Sequence, residues 1–307
     1  MLKGGKEVVL EELKAGRARQ IFIALVGLSA AVWSWSEVTW GQVCPEGPPR
    51  CLYNSIQKAL DAGLSEVLIA PGNYTELVTI RHSVTLQGLD RDKVILTGMI
   101  RTEGEGFSVE ISGMTIRGWG WFPEGIMLRR VRAVVRDVVI TQLKGFHAGI
   151  WVDDPSGDVL IERVEIKDND MPDPFLKLRV ENRESGIGGI VLSRLRPRQT
   201  IVLRENKIIN NGFYKCEPRR GQRAGECYWG DGVVIGLVLE GLPKVLFEEN
   251  VIRNNKGFGV SFFQPPCYPI QGIVQVYIGG SANEVRDNAL GNLCPASFPW
   301  PAGFLKG

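Results

Sequence analysis

Asp153 and Asp154 follow closely on Trp151, and these are the residues of the 307-residue chain whose types and spacing most suggest chemistry. A carboxylate can move a proton or hold a divalent cation, and an indole face suits the apolar C–H side of a sugar ring. Arginine supplies the complement, since a guanidinium grips a carboxylate through two parallel hydrogen bonds. Arg183 and Arg223 fall in two long inserted segments, and Arg129, Arg194, Asp231 and Trp229 complete the set. We read Asp153, Asp154, Arg183 and Arg223 as candidate catalytic residues. Trp151, Arg129, Arg194, Asp231 and Trp229 are the candidate substrate-binding residues. No metal site is assigned: the two histidines, His82 and His147, lie far apart and no Cys-x-x-Cys occurs. Calcium on carboxylates is the one cofactor the set leaves room for. Scattered acids and arginines are usually solvated surface, so the question is whether the fold gathers these.

A repeat decides that. The pattern apolar-x-x-marker-x-apolar recurs as Ile111/Met114/Ile116, Val135/Val138/Ile140, Ile161/Val164/Ile166, Leu203/Asn206/Ile208, Phe247/Asn250/Ile252 and Val285/Asn288/Leu290. A glycine followed by an apolar residue recurs between them, at Gly125, Gly149, Gly189, Gly232 and Gly259. Repeats in the ~20–50-residue range mean a solenoid, whose units bury apolar faces only against their neighbours. The units are short alternating runs of Val and Ile, which is strand language. A leucine-rich repeat is the main rival, but it wants leucines and one constant period. Coiled parallel strands tolerate both β-branched residues and loops of varying length. Asn206, Asn250 and Asn288 are then expected to stack in one column, where amides can bond from coil to coil.

Residues 55–88, SIQKALDAGLSEVLIAPGNYTELVTIRHSVTLQG, resemble the opening of right-handed parallel β-helix proteins, the family of pectate lyases and many surface proteins. Ile56, Ala59 and Leu60 form one helical stripe, Asn54 or Ser55 can cap its start, and Gly63 can end it. The expected fold is all-β: a right-handed parallel β-helix solenoid with a short N-terminal capping helix. The resemblance also implies a groove over the sheet that begins at the repeated glycine, walled by the loops 168–186, 213–230 and 264–280. The outward column of that sheet is expected to be Met127, Trp151, Val191, Val234 and Ser261, with Arg129, Asp153 and Ser193 beside it. Gly72-x-Tyr74-x-Glu76 looks like the first motif of pectin methylesterases, but their later motifs are missing. That motif is more simply a first-coil turn.

The remaining sequence bears on location. Residues 1–36 read as a leader: basic residues precede an apolar stretch from Ile21 to Trp33, a signal peptide or a membrane anchor. Residues 37–307 are expected to form the β-helix domain with its Cys-containing loops and C-terminal tail. All six cysteines, Cys44, Cys51, Cys216, Cys227, Cys267 and Cys294, follow the leader and read as disulfides of an oxidising compartment. About 15 pairings are open, with the short-range set Cys44–Cys51, Cys216–Cys227 and Cys267–Cys294 preferred. A net charge of +2 with 44% hydrophobic residues argues against nucleic acid as a partner. Membrane contact is expected only through an uncleaved N-terminal segment. The leading expectation is an extracytoplasmic protein, secreted, periplasmic or on the cell surface, that binds and in one version cleaves a polysaccharide, as a lyase or glycoside hydrolase. The alternative is a non-catalytic surface, adhesion or structural solenoid.

Overall fold

A computed structural model describes residues 41–118, 124–143, 147–169, 188–212, 215–216, 227–228, 230–236, 238, 242–262 and 276–306. The chain divides into two compact units, Met1–Thr39 and Trp40–Gly307, and all described residues belong to the second. That unit is a right-handed parallel β-helix with three strand faces per coil. The first face, the glycine-led sheet, stacks Glu124–Arg129, Ala148–Asp153, Gly188–Ser193, Asp231–Ile235, Phe258–Phe262 and Gly291–Cys294. The second stacks the early halves of Ser108–Arg117 and Arg132–Thr141, then Val159–Glu162, Thr200–Arg204, Lys244–Glu248 and Tyr277–Ser281. The third uses the later halves of those two long strands, then Glu165–Lys167, Lys207–Ile209, Val251–Arg253 and Glu284–Arg286.

Inward residues stack like on like. Ile126, Ile150, Ile190, Val233 and Val260 form one column and Val135, Ile161, Leu203 and Phe247 a second. Ile116, Ile140, Ile166, Ile208, Ile252 and Val285 form the third, and all three columns are buried. One register differs from the sequence expectation. Val285 pairs with Ile252 rather than Phe247, so Gly280 lies opposite Phe247 and Asn283 opposite Asn250. The cause is that there are two asparagine columns with the same offset. Asn206, Asn250 and Asn283 form one ladder through amide bonds of 3.0 and 2.9 Å. Asn169, Asn211, Asn255 and Asn288 form the other, at 2.9, 3.1 and 3.0 Å. Every one of these side chains is buried, and each carbonyl oxygen also accepts from a backbone or side-chain N–H, so the polar columns cost little.

Each end is closed. At the N-terminal end the helix α1, Ile56–Asp61, buries Ile56, Ala59 and Leu60 against the first coil, with Ser55 as N-cap. Glu76 reaches its N-terminus and accepts from Ile56 N at 2.9 Å and Gln57 N at 3.0 Å, where a carboxylate is favoured by the helix dipole. Tyr74 donates to Ala70 O at 2.7 Å. The Gly72-x-Tyr74-x-Glu76 motif is thus part of the cap. At the other end Phe304 packs on Phe247, and Asn283 Nδ2 donates to Phe304 O at 3.0 Å. Cys44 and Cys51 form a disulfide, and Cys294 is disulfide-bonded as well. Cys216 and Cys227 lie opposite each other across a two-stranded antiparallel hairpin. Cys267 lies outside the described residues.

Candidate functional site

The corner between the glycine-led sheet and the second sheet is where the candidate residues meet. Strand pairing sets Arg129 beside Asp153 and Asp153 beside Ser193 on three successive coils. The next residue in each coil, Arg130, Asp154 and Arg194, has positive φ and swings the chain out of the sheet. The other two corners carry similar columns, including Asp137 with Arg163 and Asp168 with Asn210. The left-handed turn therefore belongs to the solenoid rather than to a site. What is particular to this corner is the chemistry presented on it.

Asp153 is buried and fully engaged. Arg194 donates to both of its oxygens, through Nε at 2.6 Å and through Nη2, and the Ser193 hydroxyl donates at 2.9 Å. Arg129 Nε lies 3.4 Å away. Trp151 joins the same cluster, its indole N–H donating to Ser193 Oγ at 3.0 Å. Against the other side of Trp151 stands His147, edge to face, and His147 Nδ1 lies 3.0 Å from Glu124 Oε1. Four of the sequence candidates, Trp151, Asp153, Arg129 and Arg194, are thus brought together.

Asp154 begins a second cluster that opens to solvent. Arg196 donates to it twice, from Nε at 2.5 Å and Nη2 at 2.9 Å, and Arg130 Nε lies 3.5 Å away. Burial works to raise the Asp154 carboxyl, but the Arg196 hydrogen bonds and the charges of Arg196, Arg194 and Arg130 outweigh it and hold it below the ordinary carboxylate value. Around this pair lies an open cleft of about 1000 Å³, lined by Arg130, Arg132, Arg196 and Arg198 with Glu105, Asp154 and Asp158. Arg132 and Arg198 have no acidic partner among the described residues. The loops that carry the cleft are fixed: Arg196 N donates to Gln199 Oε1 at 2.8 Å, and Gln199 Nε2 donates to Pro155 O. Ser156 N bonds Val131 O at 3.3 Å and Thr200 N bonds Asp158 Oδ1 at 2.9 Å.

The open surface is not where the sequence puts it. In the expected floor of a groove, the outward column of the glycine-led sheet, Met127 and Trp151 are half-buried and Val191, Val234 and Ser261 are buried. Val191 and Val234 point outward yet are buried with Ala148 in an apolar cluster apart from the main core, and Trp151 is half-buried against it. Asp231 lies on this face, two coils beyond Trp151 and away from the cleft. It accepts from Phe258 N at 2.7 Å and from the Ser261 hydroxyl. Burial pushes its carboxyl up to about 7, against the pull of those two bonds. Arg183, Arg223 and Trp229 lie outside the described residues. No group of three or more metal-ligating side chains occurs among the described residues.

Sequence reasoning overlooked Arg130, Arg132, Arg196 and Arg198, as well as the Glu124–His147 pair. The arginines were visible as two clusters, Arg129-Arg130-x-Arg132 and Arg194-x-Arg196-x-Arg198, each just after a glycine-led strand. Glu124 and Asp231 share a signal too, since each is an acid directly before a repeat glycine.

No family model and no curated protein matches the chain. Solved structures similar at low level include the following three. One is the A-module of the Azotobacter vinelandii mannuronan C-5 epimerase AlgE4, 15% identical over 76% of this chain and 73% of that one, with a TM-score of 0.30. Another is ORF18 of Geobacillus virus E2, 15% identical over 76% of this chain and 59% of that one, at 0.27. The third is an alginate lyase from Paenibacillus sp. str. FPU-7, 10% identical over 82% of this chain and 96% of that one, at 0.22. Likeness of this degree leaves the classification to the chain's own strand pairing, which is that of a right-handed parallel β-helix.

Proposed function

We propose that the chain is an exported β-helix protein that holds an acidic extracellular or envelope polysaccharide in the arginine-lined corner cleft. The observation that carries this reading is the cleft itself, where Arg132 and Arg198 have no acidic partner among the described residues. A guanidinium matches a carboxylate or sulfate ester through paired hydrogen bonds and is weakly hydrated, so it gives up water readily on binding. A linear sugar acid brings such groups repeatedly, and a cleft shared by successive coils meets several at once. The Cys44–Cys51 bridge and the disulfide at Cys294 support an oxidising compartment.

Retention is the activity this chemistry favours over cleavage. A general acid works best with a pKa near the working pH, whereas the arginines hold Asp154 below its usual range. Asp153 is clamped by Arg194 and Ser193. The test is retention of the full-length chain on immobilised polyuronate and on an uncharged glucan, each across a salt gradient. Retention on the polyuronate alone, lost as salt rises, is expected. Equal behaviour on the two supports, or no retention on either, would remove the proposal.

A further inference from the structure

The outward face of the second sheet carries a pattern that the cleft does not use. Its coil-to-coil pairing places Arg136, Glu162, Arg204 and Glu248 in one column, with the sign of charge alternating at each rung. Two residues earlier in each strand, and so on the same side, runs the column Val134, Leu160, Val202 and Leu246. All four are only partly buried, so the face shows water a continuous apolar stripe beside a charge ladder. The ladder is held in place within the chain. Arg204 contacts Glu248 at 2.7 Å and Glu162 at 3.4 Å, and Arg136 contacts Glu110 at 3.0 Å. A stripe of aliphatic groups bordered by prepositioned charges is an interface pattern rather than a solvated one.

We infer that this face binds a second copy of the chain, with the two solenoids antiparallel. The charge order selects both the partner and the arrangement. A two-fold axis parallel to the strands, passing between Glu162 and Arg204, lays each column on its own copy in reverse order. Arg136 then faces Glu248 of the partner copy, Glu162 faces Arg204, and the apolar stripes meet, Val134 on Leu246 and Leu160 on Val202. A two-fold axis along the solenoid would instead set Arg136 on Arg136 and Glu162 on Glu162, which like charges oppose. Like pairs in the antiparallel arrangement fall at the borders of the face, Arg132 with Lys244 on one side and Asp137 with Glu249 on the other. Four coils about 4.8 Å apart and strands of about 17 Å make a small contact, less than the roughly 800 Å² per partner of a standard interface. The dimer is accordingly weak and transient.

Charge reversal tests this on the full-length chain by sedimentation equilibrium over a concentration series at low and high salt. Wild type should dimerise at low salt and dissociate as salt rises. Glu162→Arg alone and Arg204→Glu alone should each weaken the dimer about 30-fold, since each exchanges two attractive contacts for two repulsive ones. Mixed together, the two variants should associate as wild type does, because Arg at 162 of one meets Glu at 204 of the other. Circular dichroism of each variant confirms that it is folded. A wild type that stays monomeric throughout would overturn the inference, also if a glycan or another protein proved to cover the face. Single variants that still dimerise like wild type would overturn it equally.

Discussion

The glycine-led sheet and the corner beside it use the same residue types to opposite ends. On the sheet Asp153 meets Arg194 and Ser193, Asp231 meets Ser261, and the aliphatic groups between them are buried although they point outward. On the corner Arg130 and Arg196 hold Asp154, and Arg132 and Arg198 line the same open cleft of about 1000 Å³. An acid and an arginine in contact, shielded from water, make structure. Arginines in excess of acids, on fixed loops in reach of water, make a binding surface. The difference lies in stoichiometry and access, and nearness to Trp151 does not decide it.

If the sheet face is structural, its variants should change stability and spare binding. The largest effect is expected at Asp231. Its folded carboxyl titrates near 7 and its unfolded one near the ordinary value of 3.8, so the folded state binds the extra proton between those pH values. Stability from this group is therefore present below pH 4 and falls as pH rises to 7. The loss is on the order of 4 kcal/mol. Asp231→Asn should abolish that slope and leave the protein more stable than wild type at pH 8, as chemical denaturation at several pH values would show. A variant with an unchanged slope would remove Asp231 from the account.

Next comes Asp153→Ala, expected to lower stability by about 2 kcal/mol because Arg194 and Ser193 lose their acceptor. Polyuronate binding should stay within a factor of about two, since the arginines of the cleft remain. Binding lost in step with stability would mean that the two regions are one site. The smallest effect belongs to Asp154. As the acid between Arg130 and Arg196 it competes with a ligand carboxylate, so Asp154→Asn should tighten polyuronate binding about threefold. Weaker binding would make Asp154 a contact of the ligand instead of its competitor.

Much of the coil was legible in the chain. Inward columns such as Ile161 on Leu203 follow from strand alternation and from the repeat, and the α1 stripe of Ile56, Ala59 and Leu60 follows from helical spacing. The last coil was misread because Asn283 and Asn288 both satisfy an asparagine column, and an apolar residue follows each two positions on. Alternation also predicted that Trp151 and Asp153 share a side, as their link through Ser193 shows. It could not predict which outward surface is open, because burial of Val191 and Val234 depends on tertiary covering. Nor does alternation extend past Arg130 and Arg194, whose left-handed conformations turn the chain out of the sheet. Arg130, Arg132, Arg196 and Arg198, which unbroken alternation from Ile126 and Ile190 would turn inward, then share one rim.

The central claim is that the arginines of the corner cleft hold the ligand, and titration calorimetry of Arg132→Ala/Arg198→Ala against a soluble polyuronate tests it most directly. Each side chain is exposed and far from the inward columns, so the double variant should keep its thermal stability. The account predicts affinity about 100-fold below wild type, as two charge-assisted contacts are lost. It also predicts a smaller dependence of binding on salt, since fewer charges are neutralised. Wild-type affinity and salt dependence in a folded double variant would contradict it.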